Sequence, residues 1–599
     1  MEGNSTVIPI TEYKPGDIAW VLTSTALVFL MCPGLGLFYA GMARMKHSLS
    51  LMMLSVLAVA MISIQWYFWG YSLTFSATGG KFIGNLDHIV GRGIGWEPHP
   101  SAPNIPGSAF FLFQLMFAAI TPALAYGASA ERMRIMPSIL FLFLWSTAVY
   151  DVITYWVWGP NGWLTTMGVM DYAGGTPVHI SSGSAAVAYA MVLGKRKDYN
   201  HPSTVPHNVA FVFIGTALLW FGWFGFNGGS ALAANARGIQ AIINTHLSAC
   251  LGGLVWVFMD YRHSKKLTLI GFCTGAVAGL ATVTPGSGFV SSSSSLVFGL
   301  VGSVVCNLCV SWKSKFGFDD ALDVFAVHYV GGLIGLLLTG IFAQQSIIAL
   351  SYPVGATNVP NGGWLDGNYN QILVQLAAIA SVTAWSFVVT YIILYVMNKI
   401  PGLRLRLKDH EEEMGTDIAI MGESAYGFQP LLTNVHHTSI RTDEESGISS
   451  THKHQDTVNS IRMGDLPAHQ DTTANRLNKT ETTASGATGG STPASAGAAT
   501  NGSSTTLNLD LHILRRDESR EHPKRLPVMT ESRRASFARK TGNEYREDTS
   551  KMTNRNPLCY AQTISATLDH AEYLGPTLDT WETDLFPEPL DDDDNGDDI

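Results

Sequence analysis

At 599 residues the chain has the length of several soluble domains, but only 14 per cent of it is charged and its mean hydropathy lies above zero, which excludes a wholly soluble or wholly disordered protein. The charge is uneven: residues 1–398 hold 16 Lys and Arg against 14 Asp and Glu, net +2, and the remainder holds 21 against 33, net −12. An apolar, nearly neutral piece is joined near residue 400 to a polar, acidic one, and that acidic balance argues against nucleic acid or anionic lipid as partners.

Residues 1–17 precede the first apolar run without a basic n-region or a small-residue cleavage site, so no cleaved signal peptide is expected. They contain the glycosylation sequon Asn4-Ser5-Thr6. A membrane-crossing helix needs about 20 apolar residues. Such runs fall near 18–41, 50–75, 108–130, 136–158, 177–195, 207–228, 240–260, 267–284, 290–312, 323–343 and 370–397. The expected fold is an all-α polytopic membrane protein with eleven crossings in residues 18–400, and an odd number puts its two ends on opposite faces. One set of alternate loops carries Arg44, Lys46, Arg132, Arg134, Lys195, Arg196, Lys197, Arg262, Lys265, Lys266, Lys313 and Lys315, while the other set has only Lys14, Lys81, Arg92 and Arg237. Positive residues stay inside, which predicts an extracellular N-terminus, where Asn4 meets the glycosylation machinery, and a cytoplasmic C-terminus.

Glycines cluster in the spans, as at Gly271, Gly275, Gly279 and at Gly331, Gly332, Gly335, and allow helix backbones to approach closely. Cys306 and Cys309 form a C-x-x-C with no second pair, so they read as small buried residues rather than metal ligands. Polar groups inside spans are costly and mark cavities. His179 lies in the fifth span and His328 in the tenth, five spans apart in helices that run antiparallel. That is the relation expected of two inverted five-span repeats meeting at a midplane site. Two imidazoles in contact can share one hydrogen and turn their outer nitrogens toward a pore. No third or fourth histidine stands beside either, so a metal centre is not expected and no cofactor is implied. Asp151, inside the fourth span, has no evident role. Phe113 and Phe117 in the third span, Trp158 ending the fourth and Phe226 ending the sixth all lie toward the outer face, with Asp171 and Ser230 adding polarity nearby.

At these residues the chain resembles the ammonium transporter (Amt/Mep/Rh) family. The motifs are PGLGLFYAGM from 33, FAAITPALAYGASAERM from 117, DYAGGTPVHI from 171, GWFGFNGGSA from 222 and FDDALDVFAVH from 318, spread over residues 18 to about 427. The likeness is strongest to fungal members with histidine at both pore positions, a subtype described as transporter and ammonium sensor. It implies a homotrimer with one pore per subunit, and ammonium or methylammonium as the cargo. Phe113, Trp158 and Ser230 would recruit the cation, with Asp171 supporting them from below. Phe117 and Phe226 would be the gate, and His179 with His328 the proton relay. A non-conducting receptor that signals through its tail is the rival from another class, and an enzyme lacks both nucleophile and metal set.

Residues 401–430 resemble the family's ordered juxtamembrane segment, whereas 431–599 is rich in Ser, Thr, Asn, Gly and charge and reads as a disordered regulatory tail. In it Arg533-Arg534-Ala535-Ser536 fits a basophilic kinase, and phosphate on Ser536 would add strong negative charge.

Overall fold

The computed structural model describes residues 13–199 and 205–426. Among these residues every apolar run becomes a helix. The spans are Pro15–Met42, Met45–Phe75, Gly107–Ser129, 135–158, 175–193, Val209–Gly229, Ala236–Ser264, Leu269–Val283, Ser292–Val310, Phe325–Phe342 and Gln371–Lys399. The chain is an eleven-helix membrane protein. Its seventh span runs past its apolar core at both ends. The Asn235 side chain caps its start by accepting from the Gly238 N–H, and Arg262 and His263 occupy the last turn, where long polar side chains reach water.

The packing follows an inverted repeat. The first span lies along the sixth and the fifth along the tenth, so the equivalent helices of the two halves meet each other. Around them the second packs on the third and fourth, and the seventh on the eighth and ninth. The eleventh span covers the fifth. The sequence glycines sit at these crossings: a Cβ on Gly275 would fall 2.6 Å from the Gly252 carbonyl oxygen.

Wide π turns interrupt this regularity, at Trp66–Gly70, Ser146–Tyr150, Gly175–Ile180 and Phe325–Val330. The last two open the fifth and tenth spans. Such insertions recur at functional sites in helices.

On the basic face, loops from four parts of the chain are tied by buried charge. Glu131 holds a left-handed backbone (φ 71°) and accepts from the Arg44 N–H at 2.7 Å, from Arg44 Nε at 3.0 Å and from Arg196 Nη1 at 3.0 Å. Arg196 reaches on to both oxygens of Asp319, at 2.9 Å each. Burial alone would raise the Glu131 carboxyl, but His47 when protonated, Arg196 and Arg44 outweigh it and bring it down to about 2. Asp417 of the segment beyond the last span completes this face: its carboxylate accepts the Leu49 and Ser50 N–H groups at 2.9 Å each, at the start of the second span. Asn4, Ser536 and the whole of 431–599 lie outside the described residues.

Candidate functional site

His179 and His328 each sit in one of the paired π turns, and the two turns are held alike. Asp171, eight residues before His179, accepts the N–H groups of Gly174, Gly175 and Thr176 at 2.9, 2.7 and 2.6 Å, and the Thr176 hydroxyl as well. Asp320, eight residues before His328, accepts the Phe325 N–H at 2.7 Å. Four residues after each histidine stands a glycine. A Cβ on Gly183 would lie 2.5 Å from the backbone nitrogen of Tyr329, and one on Gly332 would lie 3.0 Å from the His179 Cβ. The unit D-x₇-H-x₃-G thus occurs twice in opposite directions; Gly332 admits His179, and Gly183 admits Tyr329, the residue after His328.

The two rings meet as a result. His179 Nδ1 and His328 Nδ1 are 3.2 Å apart, with centroids at 5.3 Å and planes inclined by 24°. At that distance one Nδ1 carries the hydrogen and the other accepts it, which leaves both Nε2 atoms free of the pair. The Nε2 of His179 is buried and makes no hydrogen bond among the described residues. Both rings line a cavity of about 30 Å³ whose walls include Met31, Leu35, Val178, Leu219 and Val327. That is room for about two waters, far less than a hydrated ion requires.

Above the histidines the aromatic side chains form a column. Phe117 and Phe226 stack at 4.1 Å with planes 30° apart. Phe113 meets Phe117 edge-on at 5.0 Å, and Trp158 does so at 5.9 Å. Phe226 is 6.4 Å from the His179 ring, so the column ends on the histidine pair. The Trp158 indole N–H donates to the Asp171 carbonyl at 2.9 Å, which fixes the ring over this loop. Ser230 ends the sixth span and donates to the Phe226 carbonyl at 2.8 Å, one residue beyond Gly229, which packs against the Phe113 ring. The Asp171 carboxylate is occupied by backbone and Thr176, so it acts on this site through the loop it holds.

The sequence reading assigned no part in the site to Trp223, Asp320, Gly183 or Gly332. Trp223 stacks on His179 at 5.6 Å and donates to the Thr284 hydroxyl at 2.9 Å; it lies in the same aromatic stretch as Phe226, where helical spacing alone could have singled it out. Asp320 and the two glycines were marked by the equal spacings around each histidine. Asp151, whose role the sequence left open, accepts from Gln65 Nε2 at 2.7 Å in a buried pair between the second and fourth spans, away from both rings.

Comparison with known proteins agrees with this architecture. The Ammonium Transporter Family model matches residues 19–426. Ammonium transporter 1 of Schizosaccharomyces pombe is 47% identical over 462 residues, which is 76% of this chain and 92% of that protein. Ammonium transporter MEP2 of Saccharomyces cerevisiae is 45% identical over 433 residues, 71% of this chain and 86% of the relative. The crystal structure of Saccharomyces cerevisiae Mep2 superposes with a TM-score of 0.65 at 44% identity, covering 70% of this chain and 93% of that one. The chain belongs to the ammonium transporter family.

Proposed function

We propose that the protein is a high-affinity ammonium transporter of the plasma membrane that recruits the cation outside, removes its proton, and passes ammonia and the proton inward by separate routes. Ammonium is close to potassium in size, so a fixed aperture separates them poorly. What distinguishes ammonium is its N–H donors and a proton that can leave. In this reading Phe113 and Trp158 attract the cation through their ring faces, about 2 kcal/mol each once desolvated, and Ser230 accepts one hydrogen bond. Full desolvation of a monovalent ion costs several kcal/mol even after relaxation, and of order 20 in the idealised limit. Two or three such contacts therefore recruit the ion but cannot carry it through a cavity with room for about two waters.

Ammonium accordingly gives up its proton beneath Phe117 and Phe226 to the Nε2 of His179, the ring nitrogen left without a hydrogen bond among the described residues. Neutral ammonia crosses the apolar walls, and the proton moves along His179 and His328 by exchange of the shared hydrogen. Potassium has no proton to give and stalls. The observation that carries this reading is the 3.2 Å contact between two ring nitrogens beneath a stacked aromatic pair. Three copies assemble with a pore in each, the N-terminus outside and the C-terminal segment within, and the segment bearing Asp417 transmits the state of the tail.

The test is tracer uptake of methylammonium together with current recording on purified protein in vesicles. Charge should move with each molecule taken up, and His179→Ala with His328→Ala should abolish uptake or admit potassium. Electrically silent uptake overturns the divided route. Absence of uptake by the unaltered chain would leave the receptor reading instead.

A further inference from the structure

The segment that follows the last span has a period of two, Leu403-Arg404-Leu405-Arg406-Leu407, and it is extended rather than helical. Pro401 and Gly402, the latter left-handed at φ 87°, stop the eleventh span before it. The segment pairs with the loop between the third and fourth spans. The Arg134 N–H donates to the Leu405 carbonyl at 2.8 Å and the Leu407 N–H to the Arg132 carbonyl at 3.0 Å, around a bridge of Met133 with Arg406. Alternation then turns Leu405 and Leu407 inward, where both are buried, and the arginines outward.

The outward cations divide into two kinds. Arg406 is committed, donating to the Leu193 carbonyl and to Glu412 at 2.9 Å each. Arg404 is exposed and lines an open groove with Asn398, Lys399, Pro401 and Gly402 at the foot of the eleventh span. The backbone of Arg134 runs alongside, its N–H bonded to Leu405. None of Arg134, Lys399 and Arg404 is in an ion pair among the described residues. Lys399 instead lies 5.2 Å over the Tyr395 ring. Of the acidic residues that follow along the chain, Asp409 is exposed and in no ion pair with these cations, Glu411 takes the Lys408 N–H and Glu412 takes Arg406. Beside the cations, apolar side chains stand open, Met136 at 75% and Ile400 at 44% exposure.

We propose that this groove binds the head group of an anionic phospholipid from the adjoining leaflet, with its phosphate at Lys399 and Arg404, Arg134 beside it, and acyl chain against Met136 and Ile400. Cations immediately past a membrane-crossing helix are attracted to anionic lipid by about fivefold each. The acidic total of residues 399–599 argues the other way, but a charge summed over so long a stretch averages away the cations that stand at the foot of the eleventh span. The chain's own acidic end, with Asp591 to Asp594, is a competing occupant. It would satisfy the cations but has no use for the exposed apolar rim. Because Arg406 joins this segment to Glu412, a lipid seated here also steadies the segment that carries Asp417.

The full chain, purified and placed in phosphatidylcholine nanodiscs with 10 mol% phosphatidylserine, should retain the anionic lipid when examined by native mass spectrometry. Joint replacement Arg134→Gln, Lys399→Gln and Arg404→Gln should lower retention by roughly a hundredfold, and Lys399→Arg with Arg404→Lys should restore it in a chain carrying only those two changes. Inorganic phosphate at 10 mM, roughly a hundredfold above the lipid, should not displace it, since it lacks the chain that Met136 and Ile400 would hold. Unchanged retention by the neutralised chain overturns the proposal. So does binding of a peptide of residues 585–599 with the same charge dependence while phosphatidylserine shows none.

Discussion

Asp171 shows how a single side chain can shape a site through the turn it holds. Its four donors come from the turn that carries His179, so Asp171→Asn would present an N–H₂ group to N–H groups that now find an acceptor. Each orphaned buried donor costs about 1–3 kcal/mol. The expected outcome is lower thermal stability together with lost uptake, measured on the same preparation; lost uptake at full stability would instead place the carboxylate in direct contact with the ion. Glu131 makes a different prediction because its carboxyl is held low, at about 2 against an ordinary 4.5. A depressed folded-state value means its contribution is complete above about 4.5 and is lost as pH falls through about 2. Melting of wild type followed from pH 6 to pH 2 should show that loss. Glu131→Gln should remove it and lower stability at neutral pH by about 3 kcal/mol, as breaking a buried charge network does. The sequence displayed His179, His328, Phe117 and Phe226 because polar and aromatic residues in apolar runs are conspicuous. It hid Glu131, Arg196 and Asp319, which lie far apart along the chain and meet only after the loops have folded.

At the scale of helices, the site depends on how closely the fifth and tenth spans cross. Gly183 and Gly332 set that distance, and Gly183→Val would force its Cβ into the Tyr329 backbone, beside His328. We expect the variant to reach the membrane yet lose methylammonium uptake, since the rings separate before the fold fails. Uptake near wild type would mean that the contact between the rings is dispensable. All eleven spans could be read from composition, because the bilayer demands about 20 apolar residues wherever it is crossed. The π turns could not. A widened turn has the same hydropathy as an ordinary one, and only the matched spacing of Asp, His and Gly around each histidine betrays it.

At the scale of the described residues, the aromatic rings gather on one side of the two imidazoles, and on the basic face four loops and the segment after the last span are tied into one charged layer. Asp417 belongs to that layer, so the segment to Tyr426 is part of the body in packing as well as in sequence. A chain ended after residue 426 should keep methylammonium uptake in vesicles, whereas one ended at 408 exposes the Leu49 and Ser50 N–H groups and should lose most of it. Equal uptake by the two would make the segment idle. Net charge adds what the fold keeps apart: the acidic excess belongs to the stretch beyond the last span, while Lys399, which ends that span, and Arg404 line one groove.

A helix that takes in one surplus amino acid keeps its direction but changes its phase. Residues in an ordinary α-helix advance by about 100° each, so deleting Ala326 or Thr176 would swing the neighbouring imidazole roughly a third of the way round its axis, while leaving composition, charge and hydropathy almost untouched. The meeting of the rings is thus a matter of counting. Shortening either turn by one position should part the rings without any residue of the pair having been replaced.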